Sequence, residues 1–131
     1  MTDMLRVAII GGSDTARQLI VDFLSRSFIQ VVSVVDLGDD SPGALVAQKA
    51  GIPFTTDIAD LGRLDPRPDI VIDVCGRSHV NPALEETFPS SDPDGPAVVH
   101  DTIARLVLSL AADSAVLAPG CKPRLTVVAE A

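Results

Sequence analysis

The sequence predicts an α/β fold: a doubly wound parallel sheet, strand order 3-2-1-4-5 with a possible sixth strand, in a single domain. Three observations carry this. Short apolar runs alternate with helical periodicities along the chain, and that alternation favours parallel strands joined by right-handed helical crossovers. Apolar residues make up 47% of the 131 positions, with four Phe and neither Trp nor Tyr; a core of Val, Ile, Leu and Ala suits strands buried on both faces. The first unit reads strand, glycine turn, helix, strand, acidic residue, the layout of a βαβ unit. The length is that of one domain with a sizeable core.

Each element has its own signal. Leu5 to Ile10 is an apolar run of strand length, followed at once by Gly11-Gly12-Ser13. A helix over Asp14 to Arg26 places Ala16, Leu19, Ile20, Phe23 and Leu24 on one face, the spacing of a surface helix lying on a core. Ile29 to Val35 is the second strand and ends on Asp36; Leu37-Gly38-Asp39-Asp40 is a polar loop. Ser41 caps a second helix, with Pro42 in its first turn and Gly51 just past its end. Ile52 to Thr55 forms a short third strand, in which Pro53 is tolerable if the strand lies at a sheet edge.

Asp57 starts a short helical turn through Leu61, and Asp65 to Pro68 is a stiff loop. Asp69 to Gly76 is the fourth strand and its exit. Asn81 caps a helix with Pro82 at its first position, ending near Phe88-Pro89. Ser90 to Pro96 is a loop, and Ala97 to His100 a fifth strand. Asp101 caps a long helix to about Leu117, where Pro119-Gly120 stops it. Leu125 to Ala129 supplies the possible sixth strand.

A sheet of this order places ligands beyond the carboxyl ends of strands one and four, where the winding reverses. The residues there are Gly11 to Thr15, Asp36 to Gly38, Cys75 to His79, and His100-Asp101. The turn Gly11, Gly12, Ser13, Asp14, Thr15, Ala16 aligns with the dinucleotide fingerprint G-x-G-x-x-G/A. Gly11 meets the first position and Ala16 the third. Ser13 replaces the second glycine: its Cβ crowds a pyrophosphate, while its hydroxyl can donate to one. Asp14 adds negative charge beside that place. A pyrophosphate would meet the N–H groups and positive dipole end of the first helix, and Asp36 the adenosine ribose hydroxyls. A carboxylate at Asp36 repels a 2′-phosphate, favouring NAD over NADP. The competing reading is a fold of this type that holds another nucleotide or none.

His79 and His100 fall at carboxyl ends of strands, where an acid–base histidine belongs; an exposed loop histidine is the bland alternative. Asp73 sits inside an apolar strand, where a carboxylate needs hydrogen bonds or a ligand. Cys75 is a small buried hydrophobe or a ligand contact, and Cys121 stands apart from it. Two cysteines give neither a disulfide framework nor metal spacing, so no metal is expected.

With both halves laid out, the chain resembles the nucleotide-binding domain of Gfo/Idh/MocA-type oxidoreductases and of homoserine and aspartate dehydrogenases, a Rossmann-type fold. The stretches that carry the likeness are Val7-Ala8-Ile9-Ile10-Gly11-Gly12, Val34-Val35-Asp36, Gly43 to Ala47 leading to Gly51-Ile52-Pro53, Thr56-Asp57, and Pro68-Asp69-Ile70-Val71-Ile72-Asp73. The resemblance covers roughly residues 5–110. It implies NAD(P) binding, with Gly11, Ser13 and Asp36 on the adenosine half and Cys75-Gly76 near the nicotinamide half. Similar domains also stand at the front of bacterial sensory proteins. The substrate domain that follows in those enzymes has no counterpart in this chain.

A net charge of −8 argues against nucleic acid and anionic membrane surfaces as partners. No apolar run reaches the ~20 residues of a spanning helix, and no signal-peptide pattern is present; a reduced cytoplasmic setting is expected. The last helix, residues 102–117, is apolar on most sides, with Arg105, Ser109 and Asp113 as a narrow polar stripe. It predicts packing against a second copy (a homodimer), an adjacent domain, or a folded-back C-terminal segment. Three functions fit the sequence: an NAD(H)-binding module, regulatory or part of a larger oxidoreductase; an oxidoreductase whose site is completed by oligomerisation; and a CoA- or other nucleotide-binding domain, against which Asp36 argues.

Overall fold

The computed structural model describes residues 4–36, 38, 40–74 and 80–111. They form a five-stranded sheet in the order β3-β2-β1-β4-β5, every pairing parallel. The chain runs β1 (Leu5–Ile10), α1 (Asp14–Leu24), β2 (Ile29–Val35), α2 (Pro42–Lys49), β3 (Phe54–Thr55), a 3-10 segment (Ile58–Arg63), β4 (Ile70–Asp73), α3 (Val80–Thr87), β5 (Ala97–Val99) and α4 (Asp101–Ala111). This is the order and layering expected from the sequence.

Strand alternation splits the core in two. On one face Val7, Ile9, Val34, Ile72 and Val74 meet Ala16, Leu19, Ile20 and Phe23 of α1, Ala47 of α2 and Ala104 and Leu108 of α4. On the other, Ala8, Ile10, Val35 and Val71 meet Leu61 of the 3-10 segment and Leu84 and Phe88 of and beside α3.

The β1–β2 pairing contains a bulge. Val7 pairs with Val31 but Ala8 pairs with Ser33, leaving Val32 as an extra residue. An inserted residue inverts the parity of everything after it. So Val31 and Val34, three apart, face the same core, while Val32 and Val35 face the other.

Boundaries differ from the sequence expectation where side chains and turns compete with the helix. The first helix stops at Leu24 rather than Arg26, because the Ser25 N–H and hydroxyl both turn back to the Asp22 carbonyl, at 3.1 and 2.6 Å. The third strand shrinks to Phe54–Thr55, since the Ile52 N–H is taken by the Ala47 carbonyl at the end of α2. The third helix begins at Val80, so Asn81 lies inside its first turn and is not its cap. Asp101 is the first residue of α4 rather than its cap, and the His100 carbonyl accepts the Ala104 N–H. The predicted caps Ser41 and Asp57 hold: their side chains accept from the N–H groups of Ala44 and Ala59. Gly51 ends α2 at φ 73°, a conformation that disfavours residues with a Cβ. The extension of the last helix to Leu117, Cys121 and the sixth strand lie outside the described residues. No described helix is long and apolar enough to cross a membrane.

Candidate functional site

The carboxyl edge of the sheet carries a row of polar groups. Going across strands β2, β1, β4 and β5, the residues at or just past the ends are Asp36, Gly11, Asp73 and His100. Three strand spacings separate the ends of the row, ~14 Å.

The glycine turn is the tightest part. Gly11 leaves β1 at φ 121° and its N–H donates to the Val35 carbonyl at 2.7 Å. Gly12 has no room for a side chain: a Cβ there would overlap Ser41 Oγ and the Asp36 carboxylate. Its carbonyl accepts the Gly43 N–H at 2.9 Å, and a Cβ on Gly43 would stand 3.0 Å from Gly12 Cα. The turn is thus clamped from above by the start of α2. Asp36, half-buried, stands over Gly12 rather than capping a helix.

Ser13, in the place of the second fingerprint glycine, is the N-cap of α1. Its hydroxyl accepts the Ala16 N–H at 3.3 Å, a bond that leaves the hydroxyl proton able to donate. Asp14 is exposed and turned along the helix: Arg17 Nε donates to it at 2.7 Å and Gln18 Nε2 at 2.8 Å. The Arg17 hydrogen bond holds its carboxyl below the ordinary value of 3.8, with the Gln18 bond second. The charge beside the turn is therefore shared with a cation. Thr15 is buried within the first turn.

At the far end of the row, Asp73 is 5% exposed and its carboxylate lies 3.4 Å from His100 Nδ1. Both side chains belong to the α3 face, Asp73 in phase with Val71 and His100 with Val98. His100 also lines a cavity of about 390 Å³ whose apolar walls are Leu84, Phe88, Pro89, Pro96 and Val98. The predicted site residues Cys75, Gly76 and His79 lie outside the described residues. Among the described residues no group of three His, Cys, Asp or Glu is placed to hold a metal ion.

The structure brings Gly11, Gly12, Ser13 and Asp36 together. Sequence reasoning missed Ser41 as a neighbour of Asp36 and Gly12, and missed that Asp73 and His100 meet. The first had a signal, since a capping serine five residues beyond Asp36 must return toward the turn if α2 covers α1. The second depended on β4 and β5 being neighbours, which the predicted strand order contained.

No protein-family model matches the chain, and neither does the sequence of any curated protein. Solved structures do match in shape. One is GenD2 from gentamicin A biosynthesis in complex with NAD, at TM-score 0.59 and 18% identity, over 86% of this chain and 32% of that one. Another is glycinamide ribonucleotide transformylase 1 from Symbiobacterium toebii, at TM-score 0.52 and 24% identity, over 74% of this chain and 50% of that one. The chain spans about a third of the first and half of the second. At these identities the likeness is one of fold alone: a Rossmann-type α/β architecture.

Proposed function

We propose that this chain is an NAD(H)-binding module, serving as a regulatory or sensory domain or as one part of a larger oxidoreductase. The observation that carries the reading is the Asp36 carboxylate held against Gly12 at the exit of β1. In a dinucleotide-binding βαβ unit the acidic residue ending the second strand meets the ribose hydroxyls beside that turn. The residues fit the group. Gly11 carries no side chain at the turn, Gly12 lets Asp36 approach it, Ser13 keeps a hydroxyl proton, and the first amides of α1 have no intrahelical acceptors. NAD bound there would supply a hydride acceptor; this chain's share is to orient it. Asp36 favours NAD over NADP, whose 2′-phosphate it would repel, and over CoA. The NAD in the GenD2 complex is in keeping with this choice.

Titration calorimetry with NAD, NADH, NADP and CoA tests the reading. NAD or NADH binds, NADP and CoA bind more weakly, and Asp36→Ala costs about 1–3 kcal/mol, roughly five- to 150-fold in Kd. Equal affinities for the wild type and the variant would remove Asp36 from the site and this function with it.

A second reading, an oxidoreductase completed by oligomerisation, is favoured by the Asp73–His100 contact, an imidazole beside a buried carboxylate at the carboxyl edge of the sheet. Association would use the outer side of α4, where Ile103, Leu106, Val107 and Leu110 are exposed.

A further inference from the structure

The cavity between α3 and β5 has a distinctive polar inventory. Among the described residues His100 is its one imidazole, Glu85, Asp92 and Ser90 are its other polar groups, and no cation lines it. The nearby Arg67 is committed, donating to the Asp94 carbonyl at 2.7 Å and pairing with Asp92 at 3.7 Å. Glu85 accepts the N–H and hydroxyl of Ser90 at 2.8 and 3.1 Å. Among the described residues an anionic ligand would therefore find two carboxylates and no cationic partner. The volume, about 390 Å³, lies in the range of small-molecule sites, and its lining is shared between apolar side chains and these polar groups.

His100 decides what those walls would hold. A carboxylate oxygen accepts hydrogen bonds and does not donate them, so its contact with Asp73 selects the imidazole tautomer with the proton on Nδ1. Nε2 then keeps its lone pair. At 3.4 Å the contact is long, as oriented pairs often are before a ligand binds.

We propose that Asp73 and His100 form an oriented carboxylate–imidazole pair, and that the adjoining cavity binds a neutral alcohol with an apolar body, its hydroxyl donating to His100 Nε2. Asp73 acts as the positioning residue and His100 as the ligand contact. The use of that alcohol as a substrate rests on the oxidoreductase reading; its binding does not, and needs no dinucleotide.

Two measurements on the full chain without nucleotide test this. Nitrogen-15 NMR of the neutral imidazole should give the Nδ1–H signature for His100, with His79→Gln simplifying the assignment. Finding the Nε2–H tautomer instead overturns the pair. Cyclohexanol, titrated to tens of millimolar, should shift the amides of Leu84, Phe88, Val98 and His100, and cyclohexanecarboxylate should not. His100→Ala, at an exposed position, should weaken the cyclohexanol response at least fivefold. No response to cyclohexanol, an equal response to the carboxylate, or an unchanged response in the variant each overturns the proposal. Failure of the dinucleotide reading shows separately, in the Asp36 titration.

Discussion

Asp14 illustrates how a single residue next to a binding turn can be misjudged from its charge alone. It stands one position inside α1, where a carboxylate favours the helix dipole yet opposes an incoming phosphate. The structure resolves the conflict by turning the side chain outward onto Arg17 and Gln18. The sign of its pH effect follows. With its carboxyl below the ordinary 3.8 in the folded chain, Asp14 supports folding above that value and loses the support as pH falls through the lowered one. Carbon-13 NMR of the Asp14 carboxyl should therefore give a midpoint below 3.8, and Arg17→Met should raise it. An unchanged midpoint in that variant would show that Arg17 is not its partner. Ser13 and Asp36 sit in the same few ångströms. Their types were readable from the chain, but which atoms they serve was not. A serine that caps and a serine that contacts a phosphate look alike until the Ala16 N–H is seen at 3.3 Å.

At the scale of elements, periodicity was the reliable signal and termini the unreliable one. The helical spacing located Ala16, Leu19, Ile20 and Phe23 on the buried face of α1, because burial of four side chains outweighs any local preference, whereas Leu24, expected on the same face, is 48% exposed at the helix end. Its last turn depended on Ser25, whose hydroxyl competes for a backbone carbonyl. Likewise the cap-type residues Asn81 and Asp101 are the second residue of α3 and the first of α4; a cap signal marks a neighbourhood rather than a residue. The last helix repays attention for another reason. Ala104 and Leu108 are buried, while Leu110 is 70% exposed and Ile103 is 50% exposed. A helix apolar on its wet side is a site for association. Size-exclusion chromatography with light scattering should show a dimer at micromolar concentration that Leu110→Asp returns to monomer. A wild type that stays monomeric throughout would rule out self-association.

For the whole molecule, the strand order was legible because it follows from the alternation of elements and the handedness of crossovers. The row Asp36, Gly11, Asp73, His100 followed in turn, since it is set by which strands are neighbours. The contacts within the row were less accessible. Asp73 and His100 are 27 positions apart, and nothing local ties one to the other. Gly12 falls at an unspecified position of the fingerprint. In the folded chain it is the most crowded, because β2 and α2 both converge on it. Such crowding is a property of the assembled layers.

The extra residue at Val32 has a bearing on how this chain tolerates change. Positions 34 and 35 are both valine, so the two halves of the interior would fill almost equally well if β2 were turned over. The carboxylate that follows enjoys no such symmetry. Deleting Val32 removes the surplus residue and makes the pairings Val7–Val31 and Ala8–Ser33 consecutive, so Val34, Val35 and Asp36 should keep their sides of the sheet; calorimetry should then give the NAD affinity of the wild type, and the affinity of Asp36→Ala would mean that β2 had slipped by one residue. The bulge thus takes up one surplus valine without redirecting the acidic group, which only a slip of the whole strand end would move.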